Sequence, residues 1–132
     1  MPQELEIRTP SHACFVDVTA AVGKAVAGSG IRDGICHLYV PHTTAGITIN
    51  ENADPTVRSD ILRELNKLVP WEDGYDHDEG NAAAHIKASL IGSSQSVFVE
   101  GGRLKLGTWQ GIYLAEFDGP RTRRLWVKVI PG

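Results

Sequence analysis

The chain has 132 residues, 42% of them hydrophobic and 22% charged, with a formal net charge of -3. That length suits one ordinary globular domain, and the composition excludes an intrinsically disordered chain. A net negative charge argues against general nucleic-acid binding, which needs lysine and arginine to neutralise phosphates.

No apolar run approaches the about 18 residues of a membrane span, and the opening MPQELEIRTP lacks the apolar core of a signal peptide. The expectation is a soluble, cytoplasmic protein with no membrane partner. Cys14 and Cys36 show no CxxC spacing and sit among apolar residues. They are expected to be reduced core thiols, not a disulfide or a zinc pair.

In chain order, Leu5 and Ile7 alternate with polar neighbours and predict a first strand. Phe15, Val16 and Val18 predict a second. Thr19 is a suitable N-cap for a short helix carrying Val22 and Val26, ended by Gly28-Ser29-Gly30. After the Asp33-Gly34 turn, residues 35–40 read as a buried strand, and Ile47 and Ile49 alternate in the next. Asp54 fits an N-cap and Pro55 a first helical position. Val57, Ile61, Leu62, Leu65, Leu68 and Val69 then form one apolar stripe, closed by Pro70. Residues 71–80 are too acidic and glycine-rich for a regular element. Asn81 fits the cap of another helix, AAAHIKASLI, with Gly92 at its end.

From Gln95 onward all is strand, and stretches near 95–99, 103–117 and 122–130 are predicted to form an antiparallel meander. Gly101-Gly102 and Asp118-Gly119-Pro120 supply its turns. The whole predicts a single domain over 1–132 of the α+β class, with two layers: an antiparallel β-sheet and helices on one face.

Two short stretches concentrate reactive side chains: HTTAGITINENADPTVRSD over 42–60 and HDEGNAAAH over 77–85. Turns are satisfied with glycine, asparagine and serine, so this density points to a site. His77 and His85 would lie about 12 Å apart on one continuous helix, but Gly80 and Asn81 break the chain between them. His77 can then fold back towards His85, and with His42 they offer three imidazoles for a divalent metal. Surface histidines of an acidic loop are the equal alternative. Asp76, Asp78 and Glu79 could orient these rings. His37, inside an apolar strand, and His12, in a connection, stay outside the site.

Glu51 and Asp54 precede a helix and could bind Mg²⁺ bridging to a phosphate, although capping is a sufficient role for Asp54. Asn81 adds an amide at a helix start, a position that attracts anions. Gln110 and Glu116 share one strand face with Ile112 and Leu114, a face predicted to pack on helices. That pair reads as an interface network or as a pocket floor. Arg121, Arg123 and Arg124 form a local basic group, either a charged strand edge or a phosphate contact. No serine elbow, GxxxxGKS or GxGxxG is present, which removes the common hydrolase and kinase readings.

The two reactive stretches, together with GGRLKLGTWQGIYLAEFDGPRTRR, resemble the YjbQ-like family, also called the secondary thiamine-phosphate synthase family. The resemblance covers nearly the whole chain. It implies a two-layer α+β fold, a homotrimer with sites near subunit contacts, and a thiamine-phosphate synthase activity. That reaction joins a hydroxymethylpyrimidine diphosphate to a thiazole phosphate and releases pyrophosphate. The family's motif positions fall on His42, Glu51, Asp54, His77, Asn81, His85, Gln110 and Glu116. The implied roles are catalytic for His85, Asp54 and Glu51, and substrate binding for Asn81, Gln110 and Glu116. Metal binding falls to His42, His77 and His85, with Mg²⁺ or Zn²⁺ as the cofactor. The alternatives are a metal-dependent phosphoester hydrolase and a non-catalytic trimeric binder of a phosphorylated metabolite.

Overall fold

The computed structural model describes residues 1–132. In chain order the elements are β1 (Gln3–Arg8), β2 (Cys14–Asp17), α1 (Thr19–Gly28), β3 (Gly34–Tyr39), β4 (Ala45–Glu51) and α2 (Pro55–Leu68). They continue with α3 (Ala82–Ile91), β5 (Ser94–Glu100), β6 (Arg103–Leu104), β7 (Gln110–Glu116) and β8 (Thr122–Pro131). The strands are antiparallel and form two sheets, in the orders β1-β8-β3-β5-β6 and β2-β7-β4.

The α+β class with antiparallel strands holds, and the meander does not. Gly101 and Gly102, both at positive φ, close the β5–β6 hairpin as expected. The chain then leaves that sheet, and β7 pairs with β2 and β4, while β8 pairs with β1 and β3. The cause lies in β7, where the consecutive apolar residues Ile112, Tyr113, Leu114 and Ala115 are all buried. A strand apolar on both faces needs a packed layer on each side. Ile112 and Leu114 face the first sheet across a core that includes Leu38, Val97, Leu125 and Val127. Ala115 and Phe117 instead join a second core with Ala84, Ala88, Leu62 and Leu65 of α2 and α3. The even face of β7 was expected to pack on helices; it packs on the other sheet, and the odd face meets α2 and α3. α1 closes the edge of the inter-sheet core with Val22 and Val26.

One cap and one strand depart from their sequence expectation. Thr19 does not cap α1; its hydroxyl accepts from the Ile112 amide at 2.8 Å, and Asp17 accepts from the Thr19 amide instead. β3 is buried on one face only, leaving Ile35, His37 and Tyr39 on the open side of its sheet.

Asp54 does cap α2: Oδ1 accepts from the Thr56 amide at 2.9 Å and from the Thr56 hydroxyl at 2.7 Å. Those bonds hold its carboxyl below the usual aspartate range. Asp54→Ala is therefore expected to lower the urea midpoint slightly through lost capping. A fall in turnover far beyond that loss would place Asp54 in a site as well.

Gly46 and Gly119 are required by close approach. A Cβ on Gly46 would lie 2.7 Å from the Gly92 carbonyl oxygen, where β4 meets the end of α3. One on Gly119 would lie 2.4 Å from the Ser11 carbonyl oxygen. These two contacts fix the β4 start, the end of α3 and the β7–β8 turn around one corner of the molecule.

Candidate functional site

At that corner a cleft of about 400 Å³ is lined by His42, Thr43, Thr44, His77, Glu79, Asn81, His85, Asp118, Arg121 and Arg123, with Pro41. His42 to Thr44 come from the β3–β4 connection, and His77 and Glu79 from the loop before α3. Asn81 and His85 belong to the α3 start. Asp118 and Arg121 come from the β7–β8 turn, and Arg123 from β8. Three segments distant in sequence thus bring their polar residues to one place.

Arg123 anchors the cleft. Its side chain is 5% exposed and that of Glu116 is fully buried. Nε donates to Glu116 Oε1 at 2.8 Å, and Nη2 donates to Glu116 Oε2 and to Thr44 Oγ1. Glu116 also accepts from the Thr9 hydroxyl at 2.7 Å and from the Phe117 and Asp118 amides. Burial pushes the Glu116 carboxyl up, but the bonds from Arg123, Thr9 and Asp118 outweigh it and hold the group below the ordinary glutamate range. Glu116 is therefore an ionised, buried strut for Arg123. The interface network expected at Glu116 is internal to the chain and is not a contact between subunits.

His42 is held as a neutral donor. Its Nε2 accepts from the Arg124 amide at 2.8 Å, so the proton of the neutral ring sits on Nδ1. Burial first, then the positive charge of Arg123, lowers its pKa, with Glu116 opposing and Arg124 and Arg121 reinforcing. An imidazole harder to protonate folded than unfolded contributes stability above the unfolded pKa of about 6.5, and loses it as pH falls below that value. His42→Gln keeps an acceptor for Arg124 and cannot titrate. Its urea midpoint is expected to change less between pH 7.5 and 5.5 than that of the parent chain. Equal pH dependence in the two proteins would contradict the assignment.

His77 and His85 meet edge to face with ring centroids 5.3 Å apart, and Glu79 approaches His77 at 4.0 Å. The glycine-bounded loop folds back as its sequence suggested. Asn81 begins α3 but does not cap it with its side chain. Its Nδ2 donates to Asp118 Oδ2 at 2.9 Å, and Asp118 is paired with Arg121 at 3.1 Å. Asn81 Oδ1 is buried without a protein partner. A fixed amide orientation with an orphaned acceptor is costly inside a protein, and a ligand donor would relieve it.

The three histidines share the cleft without forming one metal set. No group of three or more His, Cys, Asp or Glu side chains is placed to hold an ion. His42 spends Nε2 on the backbone, which leaves only a protonated nitrogen.

The remaining sequence candidates lie at the opposite end of the three-stranded sheet. Glu51 pairs with Gln110 in the register of β4 and β7, whereas Glu116 pairs with Ala45. Six residues of strand separate these ends by about 20 Å. Gln110 Oε1 accepts from the Gly107 amide at 2.8 Å and closes a turn, and Glu51 Oε2 accepts from the Ala53 amide at 2.9 Å. Within one chain, Glu51, Asp54 and Gln110 do not meet His42, His77, His85 and Asn81. Of the arginines, Arg123 and Arg121 line the cleft, and Arg124 pairs with Glu6 at 2.9 Å on the sheet surface. Asp118, Thr43 and Thr44 were not singled out in the sequence; the turn signal around Asp118 was the only pointer to it.

Fold and cleft together define a single-domain α+β protein with an arginine- and histidine-lined cleft at one sheet end. The chain belongs to the YjbQ-like family: the family described as "UPF0047 protein YjbQ-like" matches residues 3–132. It is 53% identical over 131 residues to the UPF0047 protein YugU of Bacillus subtilis, spanning 98% of this chain and 99% of that one. A solved YjbQ/UPF0047-family structure from Clostridium acetobutylicum superimposes with a TM-score of 0.95 at 57% identity, covering 97% of this chain and 99% of the other. A YbjQ-like protein of Sulfolobus solfataricus, at 33% identity, gives a TM-score of 0.94 and covers 100% of this chain and 97% of its own.

Proposed function

We propose that the protein is a transferase of the thiamine-phosphate synthase type, joining a hydroxymethylpyrimidine diphosphate to a thiazole phosphate with release of pyrophosphate. The observation that carries this reading is the cleft's gathering of Arg121, Arg123 and three histidines beside the start of α3. A leaving pyrophosphate develops negative charge, and preorganised donors stabilise it. The aminopyrimidine itself donates electrons to the reacting carbon. The thiazole nitrogen supplies the pair for the new C–N bond, and the C–O bond breaks with its pair leaving on pyrophosphate. No protein nucleophile is needed.

In this reading Arg121, Arg123 and the His42 Nδ1–H bind phosphate oxygens, and His85 hydrogen-bonds or protonates the leaving one, with His77 beside it. Asn81 Oδ1 accepts from a substrate donor on the phosphate side of the two histidines. Glu116 positions Arg123 and does not touch substrate. Glu51, Asp54 and Gln110 contribute only if a neighbouring subunit brings them in. The homotrimer is proposed on the resemblance and on the open sheet face, where Phe98 is exposed and Tyr39 stacks on Trp126 at 5.7 Å. A divalent ion, Mg²⁺ or Zn²⁺, would enter on the diphosphate and neutralise its charge.

No helix is long and apolar enough to cross a membrane. Cys36 is buried, with burial pushing its thiol up to about 11, and Cys14 is also unpaired. Both fit the cytoplasmic location proposed here.

The test is formation of thiamine phosphate by purified protein with and without added Mg²⁺. Product formation supports the transferase. Orthophosphate released from simple phosphoesters would favour the hydrolase, and a raised melting temperature with pyrophosphate but no product would favour the binder.

A further inference from the structure

A second recess of about 480 Å³ adjoins the cleft and shares His42, Thr43 and His85 with it. Its other lining residues are Ala45, Ala88, Ser89, Gly92 and Ser93, so apart from the two shared histidines it contains no ionisable side chain. The cleft on the far side of the same histidines carries Arg121, Arg123, Glu79 and Asp118. One wall of two imidazoles thus divides a charged compartment from a neutral one.

The neutral side is built from backbone and small side chains at a fixed junction. The Ile47 amide donates to the Gly92 carbonyl at 3.0 Å, and the Val40 amide donates to the Ser93 carbonyl at 2.8 Å. A Cβ at Gly46 would strike Gly92, so β4 and the end of α3 are held at backbone contact. Alanine, glycine and serine there leave space where larger residues would fill the corner. An uncharged recess gains little from phosphate and favours a flat apolar group with a few polar edges, for which the two serines can hydrogen-bond.

We propose that this recess is the subsite for the uncharged heteroaromatic ring of a phosphorylated substrate, whose phosphate lies in the charged cleft across His42 and His85. The inference rests on the anion-binding reading of the cleft and adds where the rest of the ligand goes. The bond between ring-bearing carbon and phosphate would then cross the histidine wall, which puts His85 next to the reacting oxygen.

The experiment measures binding of inorganic pyrophosphate and of hydroxymethylpyrimidine diphosphate by calorimetry, to the parent chain and to Ser89→Phe. Ser89 is exposed, so a phenyl group there can occupy the recess without entering either core. The parent is expected to bind the pyrimidine compound at least tenfold more tightly than pyrophosphate. Ser89→Phe should erase that advantage while leaving pyrophosphate affinity within about twofold. Ser93→Phe, on another exposed lining residue, should do the same, and guards against a folding defect in the first variant. Equal parent affinity for the two compounds overturns the subsite. So does a parallel loss of both affinities in the two variants when circular dichroism shows each to be folded. Parent protein that binds neither compound overturns the anion cleft itself, and the subsite with it.

Discussion

Glu116→Ala is expected to cost about 3–5 kcal/mol of unfolding free energy, the largest stability loss predicted for this chain. Removing the carboxylate leaves the Arg123 guanidinium buried with no counter-charge. It also strips partners from the Thr9 hydroxyl and from the Phe117 and Asp118 amides. Domains of this size are stable by roughly 5–15 kcal/mol, so a loss of that size is a large share of the total. The double variant Glu116→Leu with Arg123→Met removes both charges and is expected to regain much of the loss, because an apolar pair has no desolvation penalty. Urea denaturation of the parent, both single variants and the double gives the coupling directly. A single variant as stable as the parent would contradict the strut. The depressed carboxyl adds a pH signature. Stability from Glu116 is full above its unfolded pKa of about 4.5 and lost as pH falls through the lower folded value.

Much of the fold was legible because local signals agreed. Asp54-Pro55 marks the start of α2, and Gly92 ends α3 at positive φ. Gly101-Gly102 closes a hairpin between alternating strands. What misled was the assumption that strands joined by short turns are neighbours. GIYLA of β7 is apolar at every position, the mark of a strand covered on both faces, and that was the available sign that it starts a separate layer. Alternation at Gln110, Ile112, Leu114 and Glu116 hid it.

The site was legible in part for the same reason. His42, His77, Asn81 and His85 are dense, local and beside turns, and the fold collects them. Asp118 and Arg123 are single residues in and just after the β7–β8 turn, and only three-dimensional contact with Asn81 and Glu116 reveals their roles. Conversely, Glu51 and Asp54 stand within twelve residues of His42, and strand β4 carries them to the far end of its sheet. Closeness along a strand is distance in space.

On the transferase reading proposed above, His85→Ala should have the largest effect on function, lowering turnover by about 10²–10⁴-fold, the range assigned to a positioned proton donor. The fold should survive. His85 lies on α3 with its ring against His77 at the cleft and outside both apolar cores, and alanine is the better helix former. The Ser89 hydroxyl bond to the residue 85 carbonyl uses only backbone and is kept. Pyrophosphate affinity should also fall, but less than turnover, because Arg121, Arg123 and His42 still face the anion. His77→Ala is expected to act in the same direction and more weakly, since that ring supports His85 edge-on. A split between kcat and affinity in His85→Ala identifies a group acting on the departing phosphate. A loss of affinity with kcat unchanged would make it a binding residue only. Turnover within twofold of the parent would remove His85 from the chemistry and shift the role of donor to the His42 Nδ1–H, the one imidazole whose tautomer the backbone fixes.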